Sequence, residues 1–165
     1  MVRAFCFLAR CVVAKRTVLM GFKNYSERGA WVEMLFMAAA AYHGYRVLKP
    51  WGDVFPYDVA IEIEKGMLRV QVKSTTFRQG CGYLCSFKRA SNTRFYEACE
   101  LDLCAAYVIP EKIWYIIPAR HVVGEDRKTS LILGQFRESR AEPKYEDYRE
   151  AWMLLRNTRR QLSHM

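Results

Sequence analysis

Residues 56–73 read PYDVAIEIEKGMLRVQVK, and their alternation decides how the chain folds. Val59, Ala60, Ile61, Glu62 and Ile63 form one five-residue run, and Leu68, Arg69, Val70, Gln71 and Val72 form another. Alternation with period two predicts half-buried strands. Lys65-Gly66 between them predicts a tight hairpin turn, with Gly66 supplying the positive φ. In that register Glu62 stands opposite Arg69, Ala60 opposite Gln71 and Asp58 opposite Lys73. Residues two apart on a strand share a face, so Asp58, Gln71 and Lys73 project together while Val59, Ile61, Val70 and Val72 enter a core.

An acid, an amide and a lysine converging at one end of a hairpin suit metal-assisted phosphodiester hydrolysis. A hard divalent cation takes oxygen ligands, which Asp58 and the Gln71 carbonyl supply. Lys73 aligns an attacking water or offsets charge on the phosphate. A plain hairpin with an Asp58–Lys73 ion pair fits the same residues.

Working outward, Ser26 is the expected N-cap of a helix that Gly44 ends. From Ala30 to Tyr42 the one charged residue is Glu33, and an all-round apolar helix is expected to be buried on most sides. A carboxylate there needs a cation or donors, or else sits partly solvated near the helix start, favoured by the dipole. Glu27 precedes the packed part. Residues 45–48 predict a short strand, and the loop KPWGDVFP (49–56) brings Trp51 and Phe55 over or near the hairpin.

Beyond Lys73, Ser74, Thr75 and Arg78 are expected to meet phosphate. Residues 83–88 predict a further strand, and the basic polar loop containing Lys88, Arg89 and Arg94 suits backbone-phosphate contacts. Residues 103–109 and 113–118 are strongly apolar strands expected at the centre of the sheet. Residues 145–155 predict an amphipathic helix with Tyr145, Tyr148, Trp152 and Leu155 on one stripe.

The chain has 165 residues, a 52 % apolar fraction and a formal charge of +9, which together predict one folded domain with a polyanionic partner. The expected organisation is a poorly packed extension at 1–22, a domain at 23–157 and a basic tail at 158–165. The N-terminal stretch reads as an amphipathic arm or as sequence upstream of a start at Met20. No run reaches the ~18 apolar residues of a membrane span, so no membrane partner is expected. Nothing in the cysteine pattern implies an oxidising compartment, so a cytoplasmic setting with reduced thiols is expected. Six cysteines are present. Cys81-x3-Cys85 with Cys99-x4-Cys104 is compatible with zinc, but Cys81, Tyr83, Cys85 and Phe87 alternate as core residues of a strand. Three histidines leave histidine-metal nuclease chemistry without its ligands.

Taken in order, KPWGDVFPYD, RVQVKSTT, CGYLCSFK, AAYVIPEKIWYIIPA and KYEDYREAWMLL resemble the PD-(D/E)xK endonucleases, in particular the small bacterial group I intron-associated (homing) enzymes, over residues 26–156. Tyr57 separates Pro56 from Asp58, a small departure from the pattern, and glutamine replaces the second acid. The resemblance implies an α/β fold with a PD-(D/E)xK restriction-endonuclease-like core, a mixed central β-sheet flanked by helices. It also implies the catalytic set Glu33, Asp58, Gln71 and Lys73, with Glu33, Asp58 and Gln71 binding Mg²⁺ or Mn²⁺, and double-stranded DNA as substrate. One site per small domain predicts a homo-oligomer, dimer or tetramer, for cutting both strands. A junction-resolving or repair nuclease and a catalytically silent DNA-binding module are the rival readings.

Overall fold

The structure, a computed structural model, describes residues 21–52, 54–64, 66–88, 96–97, 99–123, 130–134 and 144–156. The extension before Gly21, the tail after Arg156, and Arg89 and Arg94 lie outside the described residues.

Helix α1 spans Tyr25–Tyr42. Its N-cap is Asn24 rather than Ser26: the Asn24 side chain accepts the Glu27 N–H at 2.8 Å, and Glu27 accepts the N–H of Lys23 at 2.6 Å. Asparagine satisfies the orphan amides as well as serine does, and Glu27 is thereby engaged in capping. Gly44 ends the helix as expected, at φ +83°. The N–H of Gly44 reaches the Ala41 carbonyl and that of Tyr45 reaches Ala40, the two bonds of a Schellman stop. The buried stripe is narrower than the composition suggested. Val32, Phe36 and Ala40 are buried, whereas Met34 and Tyr42 face solvent.

Strands β1 (Arg46–Leu48), β2 (Val59–Ile63), β3 (Gly66–Thr75), β6 (Leu103–Val108) and β7 (Ile113–Pro118) form one mixed sheet in the order β1-β2-β3-β6-β7. The β3–β6 pair is parallel and the others antiparallel. Strands β4 (Arg78–Gln79), β5 (Gly82–Ser86) and β8 (Ser130–Leu133) make a second, three-stranded sheet. Each face of the main sheet has its own core. Val59, Ile61, Val70 and Val72 pack against α1, while Cys104, Ala106, Tyr115 and Ile117 pack against Tyr83, Cys85 and Phe87 of the small sheet region. The chain's mixed sheet thus has the long helix on one side and the small sheet on the other.

The hairpin register differs from the expected one. Ile63 pairs with Gly66, Ala60 with Arg69 and Glu62 with Met67, so the turn comes one residue earlier. The shift moves every cross-strand partner by two residues, and period two keeps each side chain on its face. Arg69 turns to Asp102 instead of Glu62, with bonds of 2.9 and 3.2 Å to its two carboxylate oxygens.

Strand β7 lies at the sheet edge, not its centre, and the segment expected to be a helix explains why that edge tolerates so apolar a strand. Residues 145–156 hold a 3-10 turn at Glu146–Tyr148, a bridge between Arg149 and Tyr115, and helical backbone at 154–156. Glu150 takes a positive φ of 49°. Its N–H donates to the Trp114 carbonyl and its carboxylate accepts the N–H of Trp114 and the indole N–H of Trp152, each at 2.7 Å. Tyr145 belongs to one core, Trp152 and Leu155 to the other. A single straight helix cannot deliver its stripe to both faces of a sheet, so the chain wraps the edge instead and covers it.

Candidate active site

Strand β3 has ten residues, but β2 pairs only with its first five. Beyond that point the flank of β3 is met by Asp58, the residue just before β2. The Asp58 N–H donates to the Val70 carbonyl at 3.0 Å, and its Oδ2 accepts the Val72 N–H at 2.7 Å. Gln71, only 3 % exposed, also donates its Nε2 to Oδ2 of Asp58. The expected neighbour of Asp58 across the hairpin was Lys73; the observed one is Gln71.

Along this flank runs a cavity of about 820 Å³ between the start of α1 and strand β5. Asp58 and Lys73 line it from the sheet, Glu33 from the helix. The three groups the sequence singled out for one site therefore face one space, with Gln71 seated beside Asp58. Burial pushes the Asp58 carboxyl above the usual carboxylate range; the Lys73 ammonium and the Val72 N–H pull it down, Glu33 raises it and Lys49 lowers it again. Two carboxylates and two ammonium groups are thus within electrostatic reach of one another.

Lys49 was not singled out from the sequence. Its ammonium bonds Oε2 of the half-buried Glu33, so the loop after β1 reaches the site through a charge rather than an aromatic ring. Trp51 is 95 % exposed, and Phe55, half exposed, stacks at an angle on Tyr57, 5.6 Å between ring centres. Neither ring packs over the cavity. The signal for Lys49 was its place beside Pro50 at the end of a short strand, which fixes direction but not the partner.

The expected phosphate contacts fall into three groups. Ser74, Thr75 and Lys88 line the cavity. The Thr75 hydroxyl, however, donates to the Leu84 carbonyl at 2.6 Å and accepts the Phe77 N–H at 3.0 Å, so it ties β3 to β5. Arg78 is exposed on β4, away from the cavity lining. Arg89 and Arg94 lie outside the described residues. Of the cysteines, Cys85 and Cys104 are buried thiols and Cys81 and Cys99 are exposed; burial pushes Cys85 up to about 12.

The donors suit a hard divalent cation: two carboxylates and an amide oxygen, all near compensating positive charge. Among the described residues no three His, Cys, Asp or Glu side chains gather as a ready-made cage. A set of two acids and a neutral amide fits an ion that keeps several waters and takes further ligands from a phosphate substrate, as Mg²⁺ does.

The fold and the family define a nuclease. The chain belongs to the PD-(D/E)XK endonuclease family, whose profile matches residues 23–155. Among solved structures it is similar to I-Ssp6803I, a bacterial homing endonuclease, with a TM-score of 0.68 and 25 % identity, the match covering 87 % of this chain and 100 % of that one. No curated protein matches it. Among the described residues no helix is long and apolar enough to cross a membrane.

Proposed function

We propose that the protein is a divalent-metal-dependent DNA endonuclease of the homing type, with Mg²⁺, or Mn²⁺ in its place, held by Asp58, the Gln71 carbonyl and Glu33. The observation that carries this reading is the convergence of Asp58, Lys73 and Glu33 on one cavity at the open flank of β3. Bound there, the cation supplies Lewis acidity toward the scissile phosphate. The chain's own groups do the rest. The Val72 N–H and Gln71 fix the rotamer of Asp58. Lys49 holds Glu33 toward the cavity. Lys73 sits where an ammonium orients an attacking water and offsets negative charge on the phosphoryl oxygens. Ser74 and Lys88 offer further contacts to the backbone, joined by Arg89 and Arg94 of the basic loop.

The resemblance to a homing endonuclease supports double-stranded DNA as substrate and, since one chain carries one site, a dimer or tetramer for cutting both strands. A reducing, cytoplasmic setting suits the four described cysteines, all of them free. The test is incubation with supercoiled plasmid and with a four-way junction, each in Mg²⁺ and in EDTA. Nicked and linear plasmid in Mg²⁺ alone is the expected result. Preference for the junction points to a resolving enzyme. Binding without any cut in Mg²⁺, or in Mn²⁺ put in its place, sinks the catalytic reading.

A further inference from the structure

Arg28 stands in the second turn of α1, on the wall of the cavity with Gly29 and Glu33. Its Nε and Nη1 are shut off from solvent and have no hydrogen-bond partner among the described residues. Its guanidinium carbon lies 5.1 Å from the ring centre of Tyr25. The charge is felt across the cavity at Cys85 on β5, where Lys73 is felt too. Two of its three nitrogens are therefore enclosed at the cavity wall, while the residue as a whole is half-buried.

A guanidinium does not shed its proton, and enclosed N–H groups without acceptors are costly and rare. Neither acid of the site bonds Arg28: Asp58 Oδ2 takes Gln71 and the Val72 N–H, Glu33 Oε2 takes Lys49, and the remaining oxygens are those the proposed cation would use. The acceptor that suits Arg28 is then an anion from outside. The rest of the cavity agrees, since Lys73, Ser74, Thr76, Ser86 and Lys88 give it cations and hydroxyls. Gly29 keeps the adjoining helix surface bare, and a Cβ built there meets nothing within 4 Å.

We propose that Arg28 is a phosphate-binding residue of this site: it swings from its rest on Tyr25 to fork onto two oxygens of a DNA backbone phosphate lying along the open flank of β3. The move gives up a ring contact and no hydrogen bond. A planar fork matches two phosphate oxygens. This inference rests on the nuclease reading above.

The experiment compares wild type, Arg28→Ala and Arg28→Lys by anisotropy of a labelled duplex across a salt series in Ca²⁺, by plasmid cleavage in Mg²⁺, and by thermal unfolding without DNA. Arg28→Ala is expected to weaken duplex binding about tenfold and to flatten the slope of log K against log salt by about 0.9. Cleavage falls in step, while the melting temperature is unchanged or higher because an unpartnered buried cation is gone. Arg28→Lys keeps the slope but recovers only part of the cleavage. An Arg28→Ala protein with the wild-type slope and cleavage overturns the proposal and leaves the nuclease reading intact. A lower melting temperature with an unchanged slope also overturns it, making the guanidinium a packing group. A wild type that neither binds nor cuts overturns both.

Discussion

Gln71 donates its amide Nε2 to the same Asp58 oxygen that accepts the Val72 N–H. Those two hydrogen bonds to one oxygen fix the carboxylate at the point where β3 loses its antiparallel partner. In the proposed reading the Gln71 carbonyl oxygen is the cation's ligand, and because it is neutral it adds no charge to a buried site in the absence of metal.

Replacing that neutral ligand tests the arrangement. Gln71→Glu sets a second buried carboxylate against Asp58 and removes a donor. In EDTA the variant should melt below wild type, because like charges in a desolvated site repel. Addition of Mg²⁺ should raise its melting temperature by more than it raises that of wild type, by linkage to binding. Differential scanning fluorimetry with a metal titration gives the answer. Equal losses with and without Mg²⁺ would place Gln71 away from the ion.

Asp58 gives a pH prediction. Its carboxyl is raised in the folded state, chiefly by burial, so from about pH 4 up to that raised value the folded protein binds more protons than the unfolded chain. Stability contributed by the protonated form is present below the unfolded value and lost as pH rises through the folded one. In EDTA, Asp58→Asn should therefore gain on wild type as pH climbs through this window, the difference levelling off above it. Mg²⁺ should raise the melting temperature of wild type and not of the variant. A stability difference that is flat with pH would show that Asp58 is not carrying a buried charge.

What was legible in the sequence was whatever depends on period. The two hairpin runs put Asp58, Gln71 and Lys73 on one face, and an error of two residues in register left that face unchanged. What was not legible depends on partners distant in sequence. The side chains of Tyr145, Trp152 and Leu155 are buried as their spacing implied, yet they serve two cores on opposite sides of the sheet, a division no local pattern encodes. Arg28 looks like an ordinary surface charge until the cavity it lines is known, and Lys49 until its bond to Glu33 is.

Glu150 tests that edge wrap. Its carboxylate serves the Trp114 N–H and the Trp152 indole, and Trp152 in turn stacks on Phe36 and His43, ring centres 5.8 and 4.6 Å apart. Glu150→Ala leaves two partly buried donors unmet, a loss of about 1–3 kcal/mol, or roughly 2–4 °C of melting temperature per kcal/mol in a domain of this size. Cleavage per folded molecule should be unchanged, since the residue is not part of the cavity lining. Unchanged stability in urea titration would mean that the edge is covered by other contacts.

Gly82 makes a stricter demand. A Cβ there would lie 2.6 Å from the Leu133 carbonyl oxygen and 2.7 Å from that of Gly134, both backbone atoms on the neighbouring strand side. Gly82→Ala should therefore prise β5 from β8 at a cost of about 1–3 kcal/mol. Because β5 forms the far wall of the cavity through Leu84 and Ser86, duplex binding should weaken too. Wild-type stability in chemical denaturation would mean that the small sheet yields without loss.

The last prediction separates chemistry from grip. Lys73 and Lys88 line the same cavity, but Lys73 is the one whose charge lowers the Asp58 carboxyl against the larger effect of burial. Lys88 is exposed two residues beyond β5, where in the proposed reading it meets the DNA backbone as one cation among several. Lys73→Ala should lower the cleavage rate by about 100- to 1,000-fold, the scale of losing one preorganised electrostatic group, while duplex affinity falls only a few-fold. Lys88→Ala should reduce affinity and flatten the salt slope by about 0.9, with the rate at saturating DNA unchanged. Single-turnover kinetics over a range of protein concentrations reads both quantities in one experiment. A Lys73→Ala protein that cuts at the wild-type rate removes Lys73 from the mechanism. A Lys88→Ala protein with an intact slope means that DNA is gripped elsewhere, and the basic loop beyond Lys88 becomes the next place to look.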